Sequence, residues 1–446
     1  MNLERPIKFN LIYLILSVLL LIGTLVLGYF LVDRSNIKLL WTCLGLMFIA
    51  YFIILKKYNT AEFTKFNSYL SVISRLVLLF SFPILSDDIY RFIWDGSLIL
   101  HGINPFGFTP KELINMNFTW LNPVLFQKMN SPEYYSVYPP INQLAFLFIA
   151  IPGKGNLIAS ATVLRLFILA FDLGNIYLIK KLLIHFKKNE NLVFLYALNP
   201  LVIIEFTGNL HFEAAMIFFT LLAIWLLLKD KWRSSAVALG LAICSKLLPV
   251  VFLPFFIRYI GWRKTIYAGI ICSFTTIILF LPFIYNLELA QHFVESIQLY
   301  YGKFEFNGSI YQILKAIGWE RLHYNPIAYT SKILLGLTLV GFLITYFKSR
   351  NIFEGIFWLM FVYTIFGAIV HPWYILILVA LSPFVKWRFG IIWSVLICLS
   401  YYTYRVFPYQ ESLTIIWVEY GLLGLYIFYE LLIKNYLKKI LKPFKI

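Results

Sequence analysis

Apolar runs of about 20 residues, separated by short polar loops, cover most of this chain, and a run of that length crosses a bilayer as one helix. The pattern predicts an all-α, polytopic membrane protein with about twelve transmembrane helices, plus juxtamembrane and re-entrant helices. The predicted spans are residues 11–32, 38–55, 68–86, 160–185, 191–208, 212–230, 264–285, 329–347, 351–371, 373–387, 389–404 and 412–433.

Two apolar segments do not fit a simple crossing. Segment 141–152 is too short to span, so it is expected to form an outer-side or re-entrant helix. Segment 234–257 has basic residues at both ends, and Lys246 and Pro249 interrupt its middle. A broken helix that enters and leaves on one side explains both facts, and a single pass is the alternative.

Composition excludes several classes of protein. Hydrophobic residues make up 61% of the 446 positions and charged residues 13%, which is not the balance of a soluble domain. The formal net charge of +17 does not indicate a nucleic-acid partner, because the Lys and Arg residues lie in short loops where they orient a membrane protein. The cysteines lie inside apolar segments without CxxC spacing and predict neither a disulfide nor a metal site; they are Cys43, Cys244, Cys272 and Cys398.

The placement of Lys and Arg also predicts the topology. The Lys-rich loop 56–66 and the tail 434–446 are expected on the cytoplasmic side, together with the N-terminus. Two long segments then lie outside: residues 87–138, with juxtamembrane helices, and residues 286–328. The first apolar run is too long for a signal peptide and is expected to remain a span. Without a linker or a clear repeat, residues 1–446 are expected to form a single transmembrane domain.

Two adjacent carboxylates, Asp87 and Asp88, stand where the third apolar run ends. Charge is costly at membrane depth, so both side chains are expected at the interface. The sequence that follows predicts a helix up to Gly102, with an apolar face that would lie flat on the membrane. Asp88, Arg91 and Asp95 share its other face. Spacing alone supports a helix-capping role and a catalytic role for the carboxylates equally.

Other polar groups fall on the same outer side, and such convergence is typical of a functional site. Each has a structural alternative. His211 and Glu213 could serve only the start of a helix, His371 only a turn, and the arginines could reach for the interface. Lys246, inside an apolar segment, needs an anionic partner or water. The candidate substrate-binding residues are Arg91, Asp95, Tyr138, His211, Glu213, Lys246, His371, Tyr374 and Arg405.

Five motifs occur in a fixed order between about residues 67 and 375: SDDIYRFIWDG with HGINPF, then YPP, NPLVIIEFTGNLH, SKLLP and HPWY. As an ordered set they resemble the GT-C glycosyltransferases, in particular bacterial polyprenyl-phosphate-mannose-dependent mannosyltransferases and, more distantly, the first mannosyltransferase of GPI-anchor synthesis. The resemblance implies a multi-spanning fold with a catalytic Asp in its first large outer loop, at Asp88. The GPI enzymes carry Asp-x-Asp instead, which leaves the role of Asp87 open.

The resemblance implies an inverting transfer of a hexose, with mannose the sugar expected in this family, from a polyprenyl-phosphate donor to a glycan or glycolipid acceptor. Asp88 would be the general base, and Arg91, Lys246, His371 and Arg405 would stabilise the leaving phosphate. No cofactor is expected, and a divalent cation at Asp87 and Asp88 is left open. The site would face the periplasm or exterior of a bacterial inner or plasma membrane. A transporter, a lipid-linked-sugar flippase and a non-catalytic assembly factor are the alternatives.

Overall fold

The computed structural model describes residues 10–152 and 156–433, and nearly all of their regular structure is helical. Within this part of the chain the β pairing consists of isolated bridges from Phe306 and Asn307 to Ile369. The α-helices are Leu11–Leu25, Ile37–Lys57, Thr64–Leu76, Asp88–Leu100, Pro110–Ile114, Pro123–Lys128, Pro140–Ala150, Leu157–His185, Phe194–Ala197, Pro200–Val202, Glu213–Leu228, Trp232–Ser245, Ile257–Phe280, Leu287–Lys303, Ile310–Leu322, Ile327–Lys348, Ile352–Ile365, Leu376–Leu381, Phe389–Leu396 and Leu413–Phe428.

Segments of 3₁₀ and π-helix join several of these helices. The 3₁₀ segments are Ala61–Phe63, Glu190–Val193, Leu248–Phe256, Pro372–Ile375 and Ile397–Arg405, and the π segments are Val26–Phe30, Ile203–Gly208 and Tyr429–Ile433. The all-α fold predicted from the sequence is therefore confirmed for the described residues.

Six helices in the described part of the chain are long and apolar enough to cross a membrane. A seventh crossing is possible if a bent pair, Glu190–Ala197 and Pro200–Gly208, counts as one span. Four shorter apolar helices accompany them, among them Glu213–Leu228 and Ile352–Ile365. The expected number of about twelve spans and the orientation of both termini remain predictions. The six candidate spans are Leu11–Phe30, Ile37–Lys57, Leu157–His185, Leu248–Phe280, Ile327–Lys348 and Leu413–Leu432.

The expected spans at 68–86 and 191–208 are not unbroken helices. In the first, the helix ends at Leu76 and hydrogen-bonded turns follow as far as Ser81; Pro83, which cannot donate a helical hydrogen bond, comes after them. Arg75, in the last helical turn, is buried in an ion pair with Asp172. In the second, the chain bends by 55° before Pro200, where the Asn199 side chain accepts from the backbone N–H groups of the next turn.

The predicted break in segment 234–257 is confirmed. Helix Trp232–Ser245 ends at Lys246, whose backbone is extended at φ −158° and ψ 128°. A 3₁₀ segment with Pro249 follows before the next helix begins at Ile257. The helical interruption leaves Lys246 at an irregular position of the backbone. Whether this segment enters and leaves on one side remains a prediction.

Helix Asp88–Leu100 forms as expected, but it does not lie flat on a membrane surface. Protein covers it on most sides, since the residues from Ile89 to Gly96 are all buried. Its main neighbour is the short helix Pro140–Ala150, in the segment expected to be too short to span, and Phe92 stacks on Phe146 with ring centroids 4.5 Å apart. This packing holds the start of the helix, where Asp88 lies, in one place.

Candidate active site

A cavity of about 500 Å³ lies where the polar motifs meet, and nine of the eleven predicted site residues line it. Its walls come from the start of helix Asp88–Leu100, the break at Lys246 and the turn before Pro372. Asp95 and Arg405 do not line the cavity. The predicted residues that do are Asp87, Asp88, Arg91, Tyr138, His211, Glu213, Lys246, His371 and Tyr374.

Asp95 holds Arg91 instead of facing the cavity. Its carboxylate is fully buried and lies 2.7 Å from Arg91 Nε, one helical turn away. Ser136 and Gln143 donate to the other carboxylate oxygen. A buried ion pair with this many partners fixes its members in one orientation. The expectation that Asp95 contacts substrate is therefore not supported, whereas Arg91 borders the cavity.

Arg405 is likewise placed away from the cavity lining. Its guanidinium donates to the backbone oxygens of Tyr402 and Gln410, within its own segment, and stacks over the Tyr402 ring. These contacts stabilise the local loop. The proposed role for Arg405 in binding the phosphate has no support from this geometry.

Asp87 and Asp88 have different partners. Asp87 forms an ion pair with Arg34, a residue from the loop after the first helix. Arg34 lies over the rings of Tyr404 and Tyr409, with its guanidinium carbon 4.7 and 4.9 Å from their centroids, and it also donates to the Tyr409 hydroxyl. These contacts of Arg34 with Asp87, Tyr404 and Tyr409, here named the Arg34 clamp, join the beginning of the chain to its last third. The positive charge of Arg34 offsets the negative charge of Asp87.

Asp88 accepts a hydrogen bond from the Asn130 side chain at 3.1 Å, and its carboxylate faces the cavity. The described residues contain no ion pair to it. Asp87 is the N-cap residue of the helix, yet its side chain makes no capping hydrogen bond. Asp87 therefore does not cap the helix through its side chain, whereas Asp88 lies in the first turn, where a carboxylate favours the positive helix end. A catalytic role for Asp88 remains a prediction.

Lys246 and Glu213 form the second charged pair of the cavity. Lys246 Nζ lies 2.5 Å from Glu213 Oε1 and 4.8 Å from the centroid of the Tyr374 ring. The anionic partner expected for a Lys within an apolar segment is thus Glu213, in the first turn of helix Glu213–Leu228. Because the Lys246 side chain is 38% exposed, an anion in the cavity can also reach it.

The two histidines stack on the same indole. The ring centroids of His211 and Trp373 are 3.6 Å apart, and those of His371 and Trp373 are 4.4 Å apart. Burial lowers the pKa of His371 to about 3, with the positive charges of His211 and Lys246 adding to the effect. Burial therefore disfavours a charged His371, and its role in binding the phosphate remains a prediction.

Tyr138 lines the cavity at the start of the YPP motif. Its ring packs edge-on against Phe92 and Phe146. The motif thus fixes the approach of helix Pro140–Ala150 to helix Asp88–Leu100. Tyr138 consequently both borders the cavity and supports the helix that begins at Asp88.

Sequence reasoning missed three charged residues of this region: Arg34, Glu205 and Glu305. Glu305 lines the cavity and forms an ion pair with Lys315. Arg34 reads as an ordinary loop charge between two apolar runs, and its partner Asp87 is 53 residues away. Glu205 is fully buried inside an apolar motif and lies 3.0 Å from His211. The sequence could have revealed Glu205 through its isolation among apolar residues, because a buried carboxylate needs partners.

The described residues contain no group of three or more metal-ligating side chains.

Comparisons with known proteins show the family of this chain. Residues 19–261, more than half of the chain, match the family described as alpha-(1->6)-mannopyranosyltransferase, N-terminal domain. The chain belongs to this family. The matched region includes Arg34, the Asp87–Asp88 pair, Glu205, His211 and Lys246. The predicted relationship to GT-C mannosyltransferases is thereby confirmed.

One curated relative is the alpha-(1->6)-mannopyranosyltransferase A of Mycobacterium tuberculosis (strain ATCC 25618 / H37Rv). It is 25% identical over 221 residues, which are 49% of this chain. The match spans 42% of the relative's own length.

Proposed function

We propose that this chain is an inverting membrane glycosyltransferase that transfers a hexose, best assigned as mannose, from a polyprenyl-phosphate donor to a glycan or glycolipid acceptor. The observation that carries the proposal is that Asp88 lines one cavity together with the basic side chains of Arg91 and Lys246. Family membership supports mannose as the sugar, since the family and the relative are named for mannopyranosyl transfer.

A single displacement explains the arrangement of charges. The acceptor hydroxyl attacks the anomeric carbon while the bond from that carbon to the phosphate oxygen breaks. The electron pair of that bond leaves with the lipid phosphate, and the acceptor proton passes to the Asp88 carboxylate. One displacement inverts the anomeric configuration. Arg91 and Lys246, which line the cavity, stabilise the charge on the phosphate.

An apolar cavity of about 380 Å³ supports a lipid-linked donor. It is lined by Leu247 and by residues of helices Ile257–Phe280 and Leu287–Lys303, together with the segment between them. Leu247 also lines the polar cavity, so the two spaces adjoin directly after Lys246. We assign the apolar cavity to the polyprenyl chain and the polar cavity to the phosphate and sugar. Its lining residues are Leu247, Ile277, Phe280, Leu281, Ile284 and Phe293.

A transporter or flippase would use the same apolar helices, and carboxylates also occur in proton-coupled transporters, so the cavity alone does not separate the two classes. The match to a transferase family favours the enzyme.

The site is further proposed to face the periplasm or exterior of a bacterial inner or plasma membrane, because the Lys-rich loop 56–66 orients the first spans.

The proposal is tested by incubating the purified full chain with polyprenyl-phosphate mannose and a panel of glycan and glycolipid acceptors. Mass spectrometry should detect an acceptor heavier by one hexose, with polyprenyl phosphate released in equal amount. Consumption of donor without a hexosylated acceptor, or movement of the intact donor across vesicles without transfer, would contradict the proposal.

A further inference from the structure

A fully buried carboxylate stands behind one of the two cavity histidines. Glu205 Oε2 lies 3.0 Å from His211 Nε2. The other oxygen, Oε1, accepts from the Tyr401 hydroxyl and from Asn209 Nδ2. Burying a carboxylate is costly unless donors or an opposite charge satisfy it. His211 can supply that opposite charge when it carries a proton, and its ring lines the cavity.

The backbone is irregular where it brings these two residues together. Residues Ile203–Gly208 form a π-helix, and Leu210 has a positive φ of 69°. Interruptions of this kind cluster at functional sites, and a bulky residue at positive φ stores strain that its surroundings must hold. Here the turn reverses the chain between Glu205 and His211. Buried Arg165 fixes it by donating to the carbonyls of Thr207 and Gly208.

Charged and aromatic groups surround the His211 ring. Glu205 places a carboxylate beside it, and the face of Trp373, stacked at 3.6 Å, is a favourable position for a cation. His371 stacks on the same indole. Three positive side chains line the same cavity, and each already pairs with a carboxylate: Arg34 with Asp87, Arg91 with Asp95 and Lys246 with Glu213.

We propose that Glu205 and His211 form one unit that binds the phosphate of the lipid-linked donor. The protonated imidazole of His211 contacts the phosphate, and Glu205, which does not line the cavity, positions and neutralises the ring. As the sugar–phosphate bond breaks, its electron pair stays on the phosphate oxygen, whose charge the imidazole stabilises without giving up its proton. This inference rests on the proposed function for the identity of the donor.

The test measures binding of a polyprenyl phosphate and of the uncharged polyprenol of equal length to the purified full chain. His211→Gln should weaken binding of the phosphate by about 10-fold or more and leave binding of the polyprenol unchanged, because a charged hydrogen bond is lost. The exposed His185 at the end of helix Leu157–His185 provides a matched control, and His185→Gln should bind both lipids normally.

Glu205→Gln keeps the size of the side chain but removes its charge. It should also weaken phosphate binding, and more strongly at about pH 8 than at about pH 6, because an imidazole without its counter-charge loses its proton more readily as pH rises. The variant that carries both substitutions should bind the phosphate about as tightly as the single variant with the larger loss, since the two residues act together. If Glu205→Gln does not fold, Glu205→Asp takes its place, because it keeps the charge but has a shorter side chain. This variant should weaken binding of the polyprenyl phosphate and leave binding of the polyprenol unchanged.

Equal losses for phosphate and polyprenol, or a Glu205→Gln loss that is the same at both pH values, would overturn the inference. Asp88→Asn separates this outcome from the proposed function, because it should bind both lipids normally and fail only in transfer. A wild-type chain that binds the phosphate through His211 but transfers no sugar would keep the inference and refute the transferase proposal.

Discussion

Two neighbouring carboxylates acquire different roles from their partners. Asp87 is held by Arg34, which in turn is enclosed by Tyr404 and Tyr409. Asp88 accepts from the neutral Asn130 side chain and faces the cavity. The Arg34 guanidinium occupies Asp87, whereas no ion pair within the described residues occupies Asp88. This difference in partners is the reason why we propose Asp88, and not Asp87, as the base.

Arg34→Gln should lower sugar transfer by about 10-fold to 100-fold, because loss of the clamp releases Asp87 and shifts the start of the catalytic helix. Rates are measured with saturating donor and acceptor, alongside thermal unfolding in detergent. The expected result is a fall in turnover with a small change in the unfolding temperature.

Arg405→Gln is the matched control for this experiment. Its guanidinium binds backbone oxygens of its own segment and does not border the cavity. Transfer by this variant should stay near the wild-type rate. Equal losses in both arginine variants would argue against a specific role for Arg34.

At the residue scale the sequence predicted most of the charged side chains and histidines that line the cavity, but not the residues that support them. Asp88, His211 and Lys246 were recognisable because a polar or charged side chain within or beside an apolar run is costly, and such side chains usually pair with a partner or belong to a functional site. Arg34 and Glu205 were not recognised, since their partners are set by tertiary packing. Asp95 was misassigned for the same reason: its helical spacing from Arg91 fits both an exposed polar face and a buried ion pair.

At the element scale, the position of Asp88 depends on how closely two helices approach. Gly96 of helix Asp88–Leu100 lies against the backbone of helix Pro140–Ala150, and a Cβ at this position would stand 1.9 Å from the Phe146 carbonyl oxygen. Backbone atoms cannot rotate away from such a contact. The two helices would have to separate, and the start of the first would move with them.

Gly96→Ala should destabilise the protein by about 1–3 kcal/mol through overpacking and should lower transfer as well. Thermal unfolding in detergent and the transfer rate are the two measurements. Stability and transfer rate should fall together, because the helix that is displaced by the added methyl group also contains Asp88.

Gly45→Ala provides the matched control in helix Ile37–Lys57. A Cβ there meets nothing within 4 Å, and Ala favours a helix over Gly by up to about 1 kcal/mol. This variant should unfold at the wild-type temperature or above it. A Gly96→Ala protein as stable and active as Gly45→Ala would contradict the proposed close packing.

Element boundaries were less predictable than element types. Hydrophobic runs indicated helices correctly, but the run at 68–86 contained Arg75, whose buried pairing with Asp172 the pattern cannot reveal. The break at Lys246 was recognisable because Lys and Pro occur together in an apolar segment. Amphipathic spacing suggested that helix Asp88–Leu100 lies on the membrane, whereas protein covers it.

At the scale of the whole molecule, the orientation of the cavity decides where its substrates come from. The Lys-rich loop 56–66 and the segment 87–138 are expected on opposite sides of the membrane. Thr119 is exposed in the second segment, and Lys57 is exposed beside the first. Both positions suit labelling, since the four native cysteines are buried and can be replaced.

Thr119→Cys should react with a membrane-impermeant maleimide in intact cells, because segment 87–138 is expected outside. Lys57→Cys, in the same cysteine-free background, should react only after the cells are permeabilised. Labelling is read by the mass increase of the purified protein. The reverse pattern would place the cavity on the cytoplasmic side and remove the periplasmic assignment.

The central claim, that Asp88 is the base of a sugar transfer, is tested most directly by comparing Asp88→Asn with Asp87→Asn in the transfer assay. Asn keeps the shape of the side chain and its capping ability but loses the charge that accepts the proton. Asp88→Asn should lose about 10²–10⁴-fold in turnover without a lower unfolding temperature, and Asp87→Asn should lose less. Normal transfer by Asp88→Asn, or a dead Asp87→Asn beside an active Asp88→Asn, would contradict this account.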